Sequence, residues 1–472
     1  MHPRTYCHVA RRVRVWLATA VAAAGIALTT ALSLGAQSIP RIPVEKYTLS
    51  NGLEVILHVD HSTPIVAVNT WYHVGSGDEK PGRTGFAHLF EHLMFMGSEH
   101  VPTGQFDQLL ESAGASNNGS TTEDRTNYFE TLPSNALPLA LYLDSDRMGF
   151  LLPALDQQKL DLQRDVVKNE RRQRVDNVPY GRAEETIFAA MYPKGHPYSW
   201  PVIGSMADLS AATLEDVKSF FRTYYAPNNA TLVIAGDFDP DSAKALVARY
   251  FGGIPRGPAI PPRPSPAPVR LANDVYTVLE DRVQLPRVYY TWPTVRAYTP
   301  DDAPLTVLAS VLADGKNSRL YKKLVYDLQV AQDVTAFQYG QRLAGMFQVI
   351  VTPRPGIAPA RIDSLVRGEL ARVERDGITA RELERVQNTT RAAFLAQLAT
   401  DQQKADLINQ YNYFVGTPDY VQQDAARFDA VTRADVQRVA RVYLGRPKVV
   451  LTVVPEGKTD LMLRAPASGG GR

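Results

Sequence analysis

A chain of 472 residues is longer than one hydrophobic core usually serves, so at least two domains are expected. Apolar residues at 44% and charged residues at 21% match soluble globular proteins and exclude disordered and fibrous classes. With 51 Lys and Arg against 49 Asp and Glu, no global field draws the chain to nucleic acid, and no such partner is expected.

Residues 1–36 read as a secretory signal peptide. Arg4, Arg11, Arg12 and Arg14 precede an apolar run from Val15 to Leu34, and Gly35 and Ala36 follow it. An uncleaved anchor is the alternative, because a run of that length could span a bilayer. The reading places the mature protein in the periplasm or outside the cell, without stable membrane insertion once the signal is removed. Cys7, the only cysteine, lies ahead of the apolar run, so the mature chain has neither disulfides nor thiolate chemistry.

From Pro40 onward, YTLSNGLEVILHVD alternates apolar residues on either side of Asn51-Gly52, a hairpin signal. A strand, PIVAVNTWYHV, leads into the polar, glycine-containing loop GSGDEKPGRTG and a helix-like stretch from Phe86 to Met96. Helical patterns follow over 106–112, 136–148 and 155–175, with strand-like runs over 116–122 and 127–132. The fold class is α+β, with an antiparallel sheet. Seven prolines between Pro255 and Pro268 mark a linker. Thr213, Asp216, Val217 and Tyr224 on one side of it match Thr432, Asp435, Val436 and Tyr443 on the other, and each segment is followed by an apolar strand. One constant offset for a helix and a strand points to duplication. The expected divisions are 40–254, a linker over 255–268, a related half over 269–464 and a disordered tail over 465–472.

The chemistry lies in Gly85-Phe86-Ala87-His88-Leu89-Phe90-Glu91-His92-Leu93-Met94. Residues four apart share a helical face, so the imidazoles of His88 and His92 can grip one ion. Glu91 falls on the same side as His88. A carboxylate there can take a proton from water that the ion has acidified. The plain alternative is a chance string with surface hydrogen bonds, but the flanking Phe86, Ala87, Leu89, Phe90 and Leu93 put these polar groups on a largely buried helix, where they need partners. A structural zinc site would want thiolates, and the mature chain has none. For a third ligand, Glu170 in DLQRDVVKNERRQ lies one turn beyond Val167 on the inward side of a charged helix; it could equally be one solvated carboxylate among many.

His88-Leu89-Phe90-Glu91-His92, with Glu170 in VVKNERRQ, resembles the inverted zinc motif of the M16 (pitrilysin-like, inverzincin) metallopeptidases. NGLEVILHVD, SNNGSTTEDRTNYFETLP, PNNATLVIAGDF and GKNSRLYKKLVYDLQVAQDV extend the likeness over most of the mature chain. The resemblance implies two homologous α+β halves packed as a clamshell, one zinc ion per chain on His88, His92 and Glu170, and Glu91 as general base in an endopeptidase acting on peptides or unfolded segments. It also implies that Asn118, Gly119, Ser120 and Thr121 pair with the substrate backbone as an edge strand; a turn at Asn118-Gly119 is the alternative. Gln163 stands where many members carry a second glutamate. Around GMFQVIVTPRPG neither the Arg nor the Tyr that holds the substrate carbonyl is found. The pattern is similar to short-chain bacterial members working as dimers, so the expected partner is a second copy or a zinc-less M16-like subunit supplying Arg and Tyr. A non-catalytic subunit that binds or presents peptides is the competing class, and the intact motif argues against it.

Overall fold

The computed structural model describes residues 39–263 and 265–465; the expected signal peptide and residues 466–472 of the expected tail lie outside them. In the first half, β1 (Glu45–Thr48) and β2 (Glu54–Val59) flank Asn51-Gly52, where Gly52 takes φ +96°, a conformation that suits glycine. Then come β3 (Ile65–Tyr72), α1 (Phe86–Leu93), α2 (Gln105–Ser112), β4 (Ser116–Thr121), β5 (Thr126–Pro133), α3 (Leu137–Ala154) and α4 (Gln157–Arg171). The half closes with α5 (Ala183–Met191), α6 (Met206–Ala211), α7 (Leu214–Tyr224), β6 (Ala230–Gly236) and α8 (Pro240–Phe251). The second half runs β7 (Val275–Asp281), β8 (Arg287–Thr294), α9 (Asp302–Ala313), β9 (Ala331–Gly340) and β10 (Gly345–Pro353). It continues with α10 (Pro359–Asp376), α11 (Ala380–Gln397), α12 (Asp401–Val415), α13 (Val421–Asp429), α14 (Arg433–Val439) and β11 (Val449–Pro455).

One sheet is ordered β1-β2-β6-β3-β5-β4 and the other β7-β11-β8-β10-β9. Setting β1 aside, the two orders coincide strand for strand. The sheets are antiparallel, as expected, except for one parallel pair in each, β2 with β6 and β7 with β11. The cause is the long helical connection into β6 and β11, which, unlike a tight hairpin, allows either direction. The residues matched at one offset have physical roles: Thr213 with Asp216 and Thr432 with Asp435 form capping boxes at the starts of α7 and α14. Val217 and Val436 are fully buried in their respective cores.

The halves exchange helices. Ile187, Phe188 and Met191 of α5 pack on Tyr289, Met346 and Leu451 of the second sheet. In return, α12 crosses β3 and β6, where Asn409 Nδ2 donates to the Asn69 carbonyl at 2.9 Å and Asn412 Nδ2 to Glu54 Oε2 at 2.9 Å. Both closing strands are therefore buried on two faces, which explains their unbroken apolar sequences. The described residues of the proline-rich stretch carry no helix or strand. They are tied down nonetheless: Asn228 bonds Gly257 and Pro258 at 2.8 and 2.9 Å, and Arg263 pairs with Asp78 at 3.0 Å.

Candidate metal centre

The helix that carries the motif starts without a side-chain cap of its own. Gly85 sits at φ +88°, and a Cβ there would meet Gly204 Cα and Ile203 O at 2.9 Å. The free N–H groups of Gly85 and Ala87 instead donate to Glu79 Oε2 and Oε1, at 2.9 and 2.8 Å. Glu79 is itself buried, which pushes its carboxyl well up, and the N–H groups act against that shift. Phe86, Leu89, Phe90 and Leu93 anchor α1 in the first core. Its remaining face, with His88, Glu91 and His92, turns toward α4 and β4.

There the structure brings the three metal-ligand candidates together: a ligating atom from each of His88, His92 and Glu170 lies within 4.8 Å of the others. Glu170 Oε2 is 3.1 Å from His92 Nε2 and 3.6 Å from His88 Nε2. The imidazole rings stand 4.9 Å apart at 81°. Burial, then the neighbouring His92, lowers His88 to about 4, so it is neutral at pH 7. His92 is the largest influence holding Glu170 below the usual carboxylate range, with His88 and Arg174 acting the same way, and Arg174 Nη1 donates to Glu170 Oε1 at 2.6 Å. Neutral imidazole and ionised carboxylate are the forms a metal takes up. Among the described residues, Glu170 Oε2 is buried and makes no aligned hydrogen bond, so a lone pair is left between two imidazoles. Two His and one Glu, without thiolates, form a donor set that suits a catalytic zinc ion.

Glu91 stands beside this group. Thr121 Oγ1 donates to Glu91 Oε2 at 2.7 Å, and Oε1 carries no hydrogen bond among the described residues. Burial raises its carboxyl, with Thr121 and His92 opposing. The segment 118–121 lies in β4, an edge strand, and Asn118-Gly119 makes no turn. A Cβ at Gly119 would approach Glu91 Cγ to 3.0 Å, so the strand backbone comes close to the base. Ser120 points the other way, to Asn127 at 2.6 Å, and Asn118 Oδ1 accepts from the Gly119 N–H at 2.8 Å. Gln163 turns to Met96 Sδ at 2.8 Å and bonds neither histidine. Sequence reasoning missed Glu79 and the Thr121 contact. The only signal for Glu79 was an acid shortly ahead of an uncapped helix start.

Residues 54–203 match the family model described as "Insulinase (Peptidase family M16)", and residues 211–390 match "Peptidase M16 inactive domain". The zinc protease PqqE of Helicobacter pylori is 30% identical, over 88% of this chain and 93% of its own. A zinc protease of Streptomyces coelicolor is 25% identical over 93% and 95%. The crystal structure of a protease from Helicobacter pylori superposes with a TM-score of 0.82 at 27% identity, covering 88% of this chain and all of that one. The fold is also that of the periplasmic protease PqqL of Escherichia coli (TM-score 0.74, 19% identity), of which it covers 50%, with 91% of this chain aligned. Among the described residues, no helix is long and apolar enough to cross a membrane. With both halves matched and a relative aligned nearly end to end, the chain belongs to the M16 family of zinc metallopeptidases.

Proposed function

We propose that the chain is an exported zinc-dependent endopeptidase that cleaves peptides or unfolded segments, with His88, His92 and Glu170 holding the ion. The observation that carries this reading is the convergence of three metal-competent side chains beside a half-tethered carboxylate that shares α1 with the two histidines. A zinc ion held there would supply Lewis acidity, the chemistry that lowers the pKa of a bound water from near 16 toward about 7. Glu91, held through Oε2 by Thr121, takes the proton of the attacking water on Oε1 and returns it to the leaving amine. The free edge of β4 over Asn118, Gly119, Ser120 and Thr121 pairs with the peptide backbone, which gives affinity with little sequence demand. The active form is a dimer, with a second copy or a zinc-less M16-like subunit supplying the Arg and Tyr that hold the substrate carbonyl.

A second reading, a non-catalytic subunit that presents peptides, draws on the match of residues 211–390 to the inactive-domain model. That match lies outside the segment carrying His88 to Glu170. Incubating the purified chain with a mixed peptide library separates the cases, with and without chelator and with the product of the neighbouring gene. Chelator-sensitive cleavage alone means a homo-oligomeric enzyme, and cleavage only with the second protein means a heterodimer. No cleavage under any condition sinks the peptidase reading.

A further inference from the structure

β4 has two faces, and only one looks at the metal centre. Gly119 and Thr121 face α1, whereas Ser120 faces away, toward α12 of the second half. On that far side is a pocket of about 450 Å³, lined by Ser120, Arg125, Asn127 and Phe129 of the first half and by Asp406 and Gln410 of α12. Its cation is Arg125. Nη1 donates to Ser120 O at 2.8 Å, Ser120 Oγ at 2.6 Å and Asn127 Oδ1 at 3.1 Å, and the guanidinium sits 5.0 Å over the Trp71 ring. All of these partners are neutral, and among the described residues Arg125 makes no ion pair. Asp406 shares the pocket, but its Oδ1 is tied to β3 by Asn69 Nδ2 and Trp71 Nε1, each at 3.3 Å. Burial pulls the guanidinium below its ordinary value, with Asp406 the first group acting against it. A half-buried cation satisfied only by neutral groups is under-compensated, and a carboxylate is the ligand that completes it.

We propose that this pocket is a specificity subsite that receives an acidic side chain of the substrate, its carboxylate paired with Arg125. The inference rests on reading β4 as the edge that the peptide joins. Side chains of an added strand alternate between faces, so every second residue of the peptide points away from the metal and toward this side. Phe129 and Leu407 give the pocket apolar walls for methylenes, which favours glutamate over aspartate. Lysine would bring a second cation to Arg125.

The test uses the full chain loaded with zinc. Cleavage sites are mapped in a mixed peptide library, and matched peptides then carry Glu, Gln or Lys at each position around the cut bond. The expected result is a single position where Glu exceeds Gln by about tenfold in kcat/KM, with Lys lowest and the adjacent positions indifferent. Arg125→Met should flatten that preference. Because Arg125 also bonds the β4 backbone, Asp406→Asn provides a second variant that keeps those bonds, and it should widen the Glu-over-Lys ratio. Equal cleavage of the three peptides at every position, or a preference that survives Arg125→Met, overturns the subsite and leaves the peptidase reading standing. No cleavage of any peptide, with or without the product of the neighbouring gene, overturns both.

Discussion

Glu79 touches neither metal ligand nor base, yet it holds the helix that carries them, and its replacement by glutamine probes that link. Gln is isosteric and can still accept one N–H, but its amide group would set a donor against the other, at Gly85 or Ala87. The change removes two charge-assisted bonds, of about 1.5–3 kcal/mol each, and an anion at a helix N-terminus, worth up to about 2 kcal/mol when buried. Relief of the carboxylate's desolvation offsets much of this, since burial already pushes Glu79 upward. A net loss of about 2–3 kcal/mol remains. His88 lies in the first turn of α1, so fraying there also weakens zinc binding, by about tenfold on the scale of supporting-residue mutations. Urea unfolding of the zinc-free protein gives the first quantity, and competition against a chromophoric chelator gives the second. Glu79→Gln within about 0.5 kcal/mol of wild type, with unchanged zinc affinity, would show that Glu79 does not hold the start of α1.

Gly119→Val should cut peptide turnover by about a hundredfold, because its Cβ would press to 3.0 Å from Glu91 Cγ and displace the base. Zinc content should stay at the wild-type level, and a simultaneous loss of metal would contradict this. Arg147 is buried between Glu130, at 2.7 Å, and Asp144. Arg147→Met leaves those carboxylates without a counter-charge and should destabilise the fold by about 3–5 kcal/mol in urea, and a change below about 1 kcal/mol would be inconsistent. At Glu382, burial alone would raise the carboxyl, but Arg319 and the Thr379 cap bring it down to about 2. A depressed carboxyl contributes stability that is present above its unfolded value and lost as pH falls from about 4.5 toward 2. Screening at this half-exposed site limits the loss to about 1 kcal/mol. Arg319→Met should shrink that part of the acid unfolding curve, and an unchanged curve would remove the pair from it.

The sequence shows the site where the chemistry demands a fixed spacing. His88, Glu91 and His92 share a helix, so their relation is a matter of helical phase, and Gly85 and the apolar flanks mark where that helix starts and how it lies. Glu170 is set by tertiary packing of α4 on α1, and the helix phase alone left it as one acid among several. Strand runs were legible because each follows a local period. The parallel pairs were not, since the placement of β6 and β11 inside their sheets depends on long connections. Nor was the exchange of α5 and α12. Neither helix carried a distinguishing motif, and only the unbroken apolar runs of β6 and β11 hinted that something covered their outer faces. Glu79, Thr121 and Arg125 act through contacts between segments that no single period encodes.

Whether His88, His92 and Glu170 hold one zinc ion is read from the zinc-to-protein ratio of the purified Glu170→Ala chain measured beside that of Glu91→Gln. Glu91→Gln should retain stoichiometric zinc while losing turnover, and Glu170→Ala should retain little metal. Full zinc in Glu170→Ala would contradict the assignment of the third ligand and, with it, the site.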